Sequence, residues 1–211
     1  DRAYHLEARG RLDITRRSNL QTEVSRDVTQ ESRSALEAVA AGGRADVTTD
    51  RVAATYNQRF NRVSVQLRGS LSEVDYSAVS TGGTLVSNAD RNYRQGTEAV
   101  RATYELKPTL SVFSEVELDQ REHTAAAADG IRRDSTGERY RVGVSFGQTG
   151  KILRGEASIG YGVQRPDDRR LSNVSGLIAD ASLAWRVSAL TSLLLSANSS
   201  FGETNVASRI I

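Results

Sequence analysis

The chain has 211 residues, 38% of them hydrophobic, and its 28 Lys and Arg against 26 Asp and Glu leave a net charge of +2. No basic block stands apart from acidic neighbours, which argues against a nucleic-acid partner, and the absence of cysteine excludes a disulfide framework or a thiolate metal site. No run approaches the roughly 18 apolar residues of a membrane helix. The mean hydropathy of −0.45 fits a soluble protein, but equally fits membrane-spanning strands in which only every second residue meets lipid.

In chain order, period-two alternation returns repeatedly. From Ala3 to Ile14, Tyr4, Leu6, Ala8, Gly10, Leu12 and Ile14 alternate with His5, Glu7, Arg9, Arg11 and Asp13. After TRRS, Leu20, Thr22 and Val24 alternate with Gln21, Glu23 and Ser25. Thr29 to Asp46 breaks the pattern and reads as a long loop with an Ala-rich piece, SALEAVAAGGRA. Val52, Ala54, Tyr56 and Phe60 mark a third strand, interrupted at Gln58. Asn61-Arg62 then turns into Val63, Val65, Leu67 and Leu71, opposed by Ser64, Gln66, Arg68 and Ser70. Ser72 to Asn92 reads as a second long polar loop.

Val100, Ala102 and Tyr104 follow, opposed by Arg101, Thr103 and Glu105. Then comes the turn LKPT, with proline where no ladder donor is needed. Leu110, Val112, Val116 and Leu118 oppose Phe113, Glu115 and Glu117, and Gln120 to Gly137 reads as a third long loop. The clearest hairpin runs from Glu138 to Val163. Tyr140, Val142, Val144 and Phe146 line one face of its first arm, and Leu153, Gly155, Ala157, Ile159, Tyr161 and Val163 that of its return. The other face carries Arg139, Arg141, Arg154 and Glu156 among Gly and Ser. After a medium loop, Gln164 to Val174, come Leu177, Ala179, Ala181, Leu183 and Trp185, then a VSAL turn and Leu193, Leu195, Ala197 and Phe201.

Ten strands joined by alternately short and long links, each about long enough to cross a bilayer, are expected to form an antiparallel up-and-down transmembrane β-barrel. Short turns would face the periplasm and long loops the outside. Phe60, Tyr104, Phe146 and Trp185 precede short turns on the apolar face, while Tyr140, Tyr161 and Phe201 lie toward the long-loop end. Two such girdles fit a membrane better than a soluble β-sandwich, the rival fold, whose aromatics belong in its core. Val65, Val142, Val144, Ala157, Ile159, Ala181 and Leu183 are expected to touch lipid. Termini normally both lie in the periplasm. A further strand is therefore expected before Asp1 and another after Ile211, making these residues one domain of a barrel of twelve or more strands.

The segments NRVSVQLRGSLSEVDY, DRNYRQGTEAVRATYELKPTLSVFSEVELDQREH, RRDSTGERYRVGVSFG and RGEASIGYGVQRPDDRRLSNVSGLIADASLAWRVSALTSL resemble the outer-membrane β-barrel porin families of alphaproteobacteria. The resemblance covers roughly residue 50 onward and is weaker over the first two strands. It implies an integral outer-membrane barrel with porin-like character. Some similar barrels are encoded beside exopolysaccharide export systems. It brings no catalytic motif and no cofactor.

On the polar face, Arg101, Glu115, Glu117, Arg139, Arg141, Arg154 and Glu156 fall on neighbouring strands, and Asp180 and Arg186 continue the series. Hairpin registers closing at the short turns should set Arg101 opposite or diagonal to Glu115, and Arg141 likewise to Glu156. Two roles stay open: a self-neutralising ladder filling the bore, or a charged constriction selecting solutes. His5 and His123 are too isolated for a metal site, the serines lack a nucleophile-elbow setting, and Gln148-Thr149-Gly150-Lys151 only faintly echoes a phosphate loop. Loop acids Asp129, Asp167 and Asp168 serve solvation more readily than calcium. No catalytic residue, metal or cofactor is therefore expected.

The reading is a passive porin-like channel whose partner is the outer-membrane bilayer. The alternatives are a barrel serving polysaccharide secretion or a structural role in a surface complex, and, from another class, a secreted carbohydrate-binding β-sandwich.

Overall fold

A computed structural model describes residues 3–31, 44–81, 84–147, 152–188 and 190–199. Its strands are β1 (Tyr4–Thr15), β2 (Ser18–Gln30), β3 (Asp46–Phe60), β4 (Val63–Tyr76), β5 (Val79–Thr81), β6 (Thr84–Val86), β7 (Tyr93–Lys107), β8 (Leu110–His123), β9 (Ser135–Phe146), β10 (Leu153–Pro166), β11 (Val174–Arg186) and β12 (Ser192–Asn198). Ten of them form one sheet in the order β1-β2-β3-β4-β7-β8-β9-β10-β11-β12, every pair antiparallel and every link to the neighbouring strand. These are the ten strands expected from the alternation. β1 pairs with β2 and β12 with β11; no ladder joins β1 to β12 among the described residues.

Two expectations are corrected at the long-loop end. The loops expected over Ser72–Asn92 and Gln120–Gly137 are shorter, because β4 continues to Tyr76, β8 to His123, and β9 starts at Ser135. Within the first of them lies a small hairpin, β5 with β6, and a 3-10 turn at Ala89–Arg91. Beyond the bilayer the alternation no longer needs apolar residues, so these extensions are polar and carry the sequence signature of a loop. β3 is likewise continuous through Gln58, whose side-chain oxygen accepts the Tyr56 hydroxyl at 2.9 Å on the outward face. Most of the Ala-rich piece, and Phe201, lie outside the described residues.

The short links are Arg16–Arg17, Asn61–Arg62 and Pro108–Thr109, with 147–152 and 187–191 slightly longer. At the second of these, Asn61 takes a left-handed φ of 55°, a conformation Asn adopts more readily than most residues. Backbone bonds carry the ladders right to these turns: Arg59 N–H to Arg17 O at 2.8 Å, Glu105 N–H to Arg62 O at 2.8 Å and Gly147 N–H to Thr109 O at 2.9 Å.

The register also fixes strand tilt. The row through Phe60 passes Val63, Tyr104 and Val112 and reaches Val144 on β9, one step above Phe146. The row through Phe146 in turn reaches Leu183 on β11, one step above Trp185. The lower aromatic girdle thus drops two residues, about 6.8 Å, for every two strands, about 9.6 Å, between β7 and β11. Over that stretch a level girdle corresponds to strands inclined by about 35°, within the usual range of barrel strands, whereas Phe60 and Tyr104 share one row between β3 and β7.

Candidate functional site

The two faces of the sheet differ as the alternation requires. Leu6, Val24, Val52, Leu67, Val100, Val142, Ile159 and Leu177 are exposed on one face, while Phe113, Glu115, Asp119, Ser158 and Gln164 are buried on the other. In a soluble sheet the order would be reversed. The apolar face ends, toward the long loops, in cross-strand ion pairs: Arg26 to Asp50 (2.7 and 2.6 Å), Arg94 to Glu73 (3.1 Å) and Arg165 to Glu138 (2.7 Å). From Phe60 to the first charge, Asp50, β3 presents an uncharged outward span close to the nine to eleven residues of a membrane strand.

The polar face curves inward, because side chains on strands that are not neighbours meet across it. Arg68 on β4 reaches Glu115 on β8 at 2.9 Å, over β7. Arg141 on β9 reaches Asp180 on β11 at 3.5 Å, over β10. Arg101 on β7 spans two strands to hold Glu156 on β10 through two bonds of 3.0 and 2.5 Å. Glycines make the crossings possible. Phe113 lies on Gly143, where an added Cβ would stand 2.5 Å from its ring and 2.5 Å from the Ala157 carbonyl. Arg141 crosses Gly160, and Asp119 leans over Gly137 to reach Gln164 at 3.3 Å.

Around Glu115 the site is densest. Its carboxylate, only 6% exposed, accepts from Arg141 at 2.9 Å and faces Arg68 at 2.9 Å and Arg101 at 3.8 Å. One step toward the long loops, Arg139 holds both Glu117 (2.8 Å) and Asp119 (2.7 Å). The Arg101 guanidinium also stacks on Phe113, 3.5 Å from the ring centroid, a cation–π contact that strengthens where water is excluded. Toward β2 the network becomes neutral. Gln66 receives Arg68 at 2.7 Å and donates to Asn57 at 2.9 Å, and Asn57 donates to Asn19 at 3.1 Å.

Of the nine charged residues expected here, Arg101, Glu115, Glu117, Arg139, Arg141, Glu156 and Asp180 come together. Arg154 and Arg186 share the face but do not join: both are exposed and neither has an ion-pair partner among the described residues. Of the two expected pairs, Arg101 does stand opposite Glu115, at 3.8 Å, and only the pairing of Arg141 with Glu156 is corrected. Arg141 turns to Glu115, Glu117 and Asp180, while Glu156 belongs to Arg101. Register sets Arg141 opposite Glu115 on β8 and Gly160 on β10, four residues from Glu156, while the Arg101–Glu156 and Arg141–Asp180 contacts join strands that are not adjacent and depend on the curvature. Sequence reasoning missed Arg68, Asp119 and the role of Phe113. The signal for Phe113 was an aromatic on the polar face of β8, in register with Gly143 on β9. His123 is buried at the end of β8 against Tyr93 (ring centroids 5.6 Å apart), remote from His5, which contacts Asp27. No cluster of metal-ligating side chains occurs among the described residues.

The family described as Putative beta-barrel porin 2 matches residues 1–209. The chain belongs to that family. The match takes in the first two strands, where the resemblance read from sequence was weakest. Family membership makes this an integral outer-membrane protein, with its outward apolar face in contact with the bilayer. Among solved structures the chain is similar to OmpT (in-vitro folded), an outer membrane protein of Vibrio cholerae. The identity is 7% and the TM-score 0.45, over 89% of this chain and 75% of that one. No curated protein matches at a significant level.

Proposed function

We propose that this porin-family chain forms a passive diffusion channel for small polar solutes, with the Arg/Glu network as its constriction. The observation that carries the reading is the Arg101–Glu156 bridge stacked on Phe113, which projects from the inner face where a solute path would run. Ordered charges of both signs there favour small hydrophilic solutes and disfavour apolar ones. The reading involves no catalytic step and no cofactor.

The same bridge supports a second reading, a bore closed by side chains in a barrel that serves secretion or a surface complex. Single-channel recording from the folded protein in planar bilayers separates them. A channel should give discrete ohmic steps, and Arg101→Gln or Phe113→Ala should enlarge them. Silence in wild type and in both variants favours the closed barrel.

A further inference from the structure

Charge is distributed unequally between the two ends of the sheet. At the long-loop end, basic groups are mostly matched by acids, as in Arg91 with Glu31, Arg132 with Asp134 and Arg170 with Asp168. At the short-turn end, Arg16, Arg17, Arg62, Lys107, Arg154 and Arg186 have no ion-pair partner among the described residues. The nearby acids are already engaged: Asp13 by Arg11 at 2.9 Å and Glu105 by Arg59 at 2.7 Å. An unbalanced group of like charges at the mouth of a low-dielectric structure raises the local concentration of counter-charge.

A cleft of about 400 Å³ opens at this end, bordered by Arg16, Arg17, Asn19, Asn57 and Arg59 and reaching inward to Arg101 and Glu156. The amide chain beside it runs in one direction. The Asn19 side-chain oxygen accepts from both Gln21 (3.3 Å) and Asn57 (3.1 Å). That leaves the Asn19 amide N–H groups to donate, next to two guanidiniums that carry only donors. Donors thus dominate the outer part of the cleft, and its natural complement is a group that only accepts.

We infer that this cleft is an oxyanion-binding vestibule, loading carboxylate- or phosphate-bearing solutes into the bore from the short-turn side. The inference rests on the channel reading, whose substrate class it names. Guanidinium forks suit planar carboxylates and phosphate oxygens, and the outlying Arg62, Lys107, Arg154 and Arg186 steer such solutes inward.

The test uses inorganic phosphate as probe and the double variant Arg16→Gln/Arg17→Gln. Both residues are exposed in a two-residue link and make no ion pair, so folding, checked by heat-modifiable gel mobility, should be unchanged. In oriented planar bilayers, phosphate added on the short-turn side should reduce the potassium chloride current at roughly tenfold lower concentration than from the other side. The double variant should lose that asymmetry, and its reversal potential in a salt gradient should shift toward cations. A conducting variant with unchanged asymmetry and reversal potential overturns the vestibule and leaves the channel reading intact. If wild type carries no current, the channel reading fails, and equilibrium dialysis of phosphate against the detergent-folded protein decides the rest. About tenfold weaker binding by the variant supports the site, and equal binding overturns it.

Discussion

Glu115 shows what a single residue contributes here. Its buried carboxylate faces three guanidiniums, so neutralising it leaves Arg68, Arg101 and Arg141 close together without their shared counter-charge. Removing one partner of a buried ionic cluster typically costs about 3–5 kcal/mol. Glu115→Gln is expected to lose stability on that scale in urea-driven unfolding from lipid vesicles, while Glu73→Gln, on the exposed rim, should lose little. Asp168 makes a different kind of prediction. Its carboxylate accepts from the Arg170 side chain (2.9 and 2.6 Å) and backbone N–H (2.9 Å), which holds its pKa at about 2 instead of the ordinary 3.8. A depressed carboxylate pKa contributes stability that is complete above the unfolded value and lost as pH falls through the folded one. The β10–β11 loop should therefore keep this contact at pH 3 and release it near pH 2. Carbon-detected titration of Asp168 checks this, and a midpoint near 3.8 would refute the contact.

At the level of the strand, what could be read from sequence depended on which periodicity the environment imposes. Ten strands, both faces and the aromatic girdle were legible because lipid demands an apolar side chain at every second position. Val144, 40% exposed between Phe146 and Tyr140 on β9, is such a position. Arg there should cost about 2–4 kcal/mol in bilayer folding, and much less at the rim. If Val144→Arg folds as well as wild type, the faces are wrongly assigned. The strand extensions beyond the bilayer were not legible, since water imposes no such rule on them. Arg101 against Glu115 was legible from hairpin register, but the reach of Arg101 to Glu156 and of Arg141 to Asp180 was not: those distances across the sheet follow from curvature, which the alternation of one strand does not encode. The pairing of Phe113 with Gly143 lay between these cases, visible as residue types but decided only by register.

Across the whole molecule, the long-reach ion pairs are unevenly placed. Arg59–Glu105, Arg68–Glu115, Arg101–Glu156 and Arg141–Asp180 tie strands from β3 to β11 that are not neighbours. Among the described residues β1, β2 and β12 take part in none of them. Amides in β7 to β10 should exchange with solvent more slowly than those in β1 and β12. High salt should narrow the gap most for pairs near the rim, where screening reaches. Uniform exchange across the sheet would argue against the difference. In mechanical terms these side chains are diagonal struts on a wall of hinged staves. A hydrogen-bonded sheet resists stretching along its strands yet bends readily about them, and the struts remove that freedom by triangulation. The arc they span should keep a fixed cross-section under lateral membrane pressure, and shape changes should concentrate at the unbraced strands on either side.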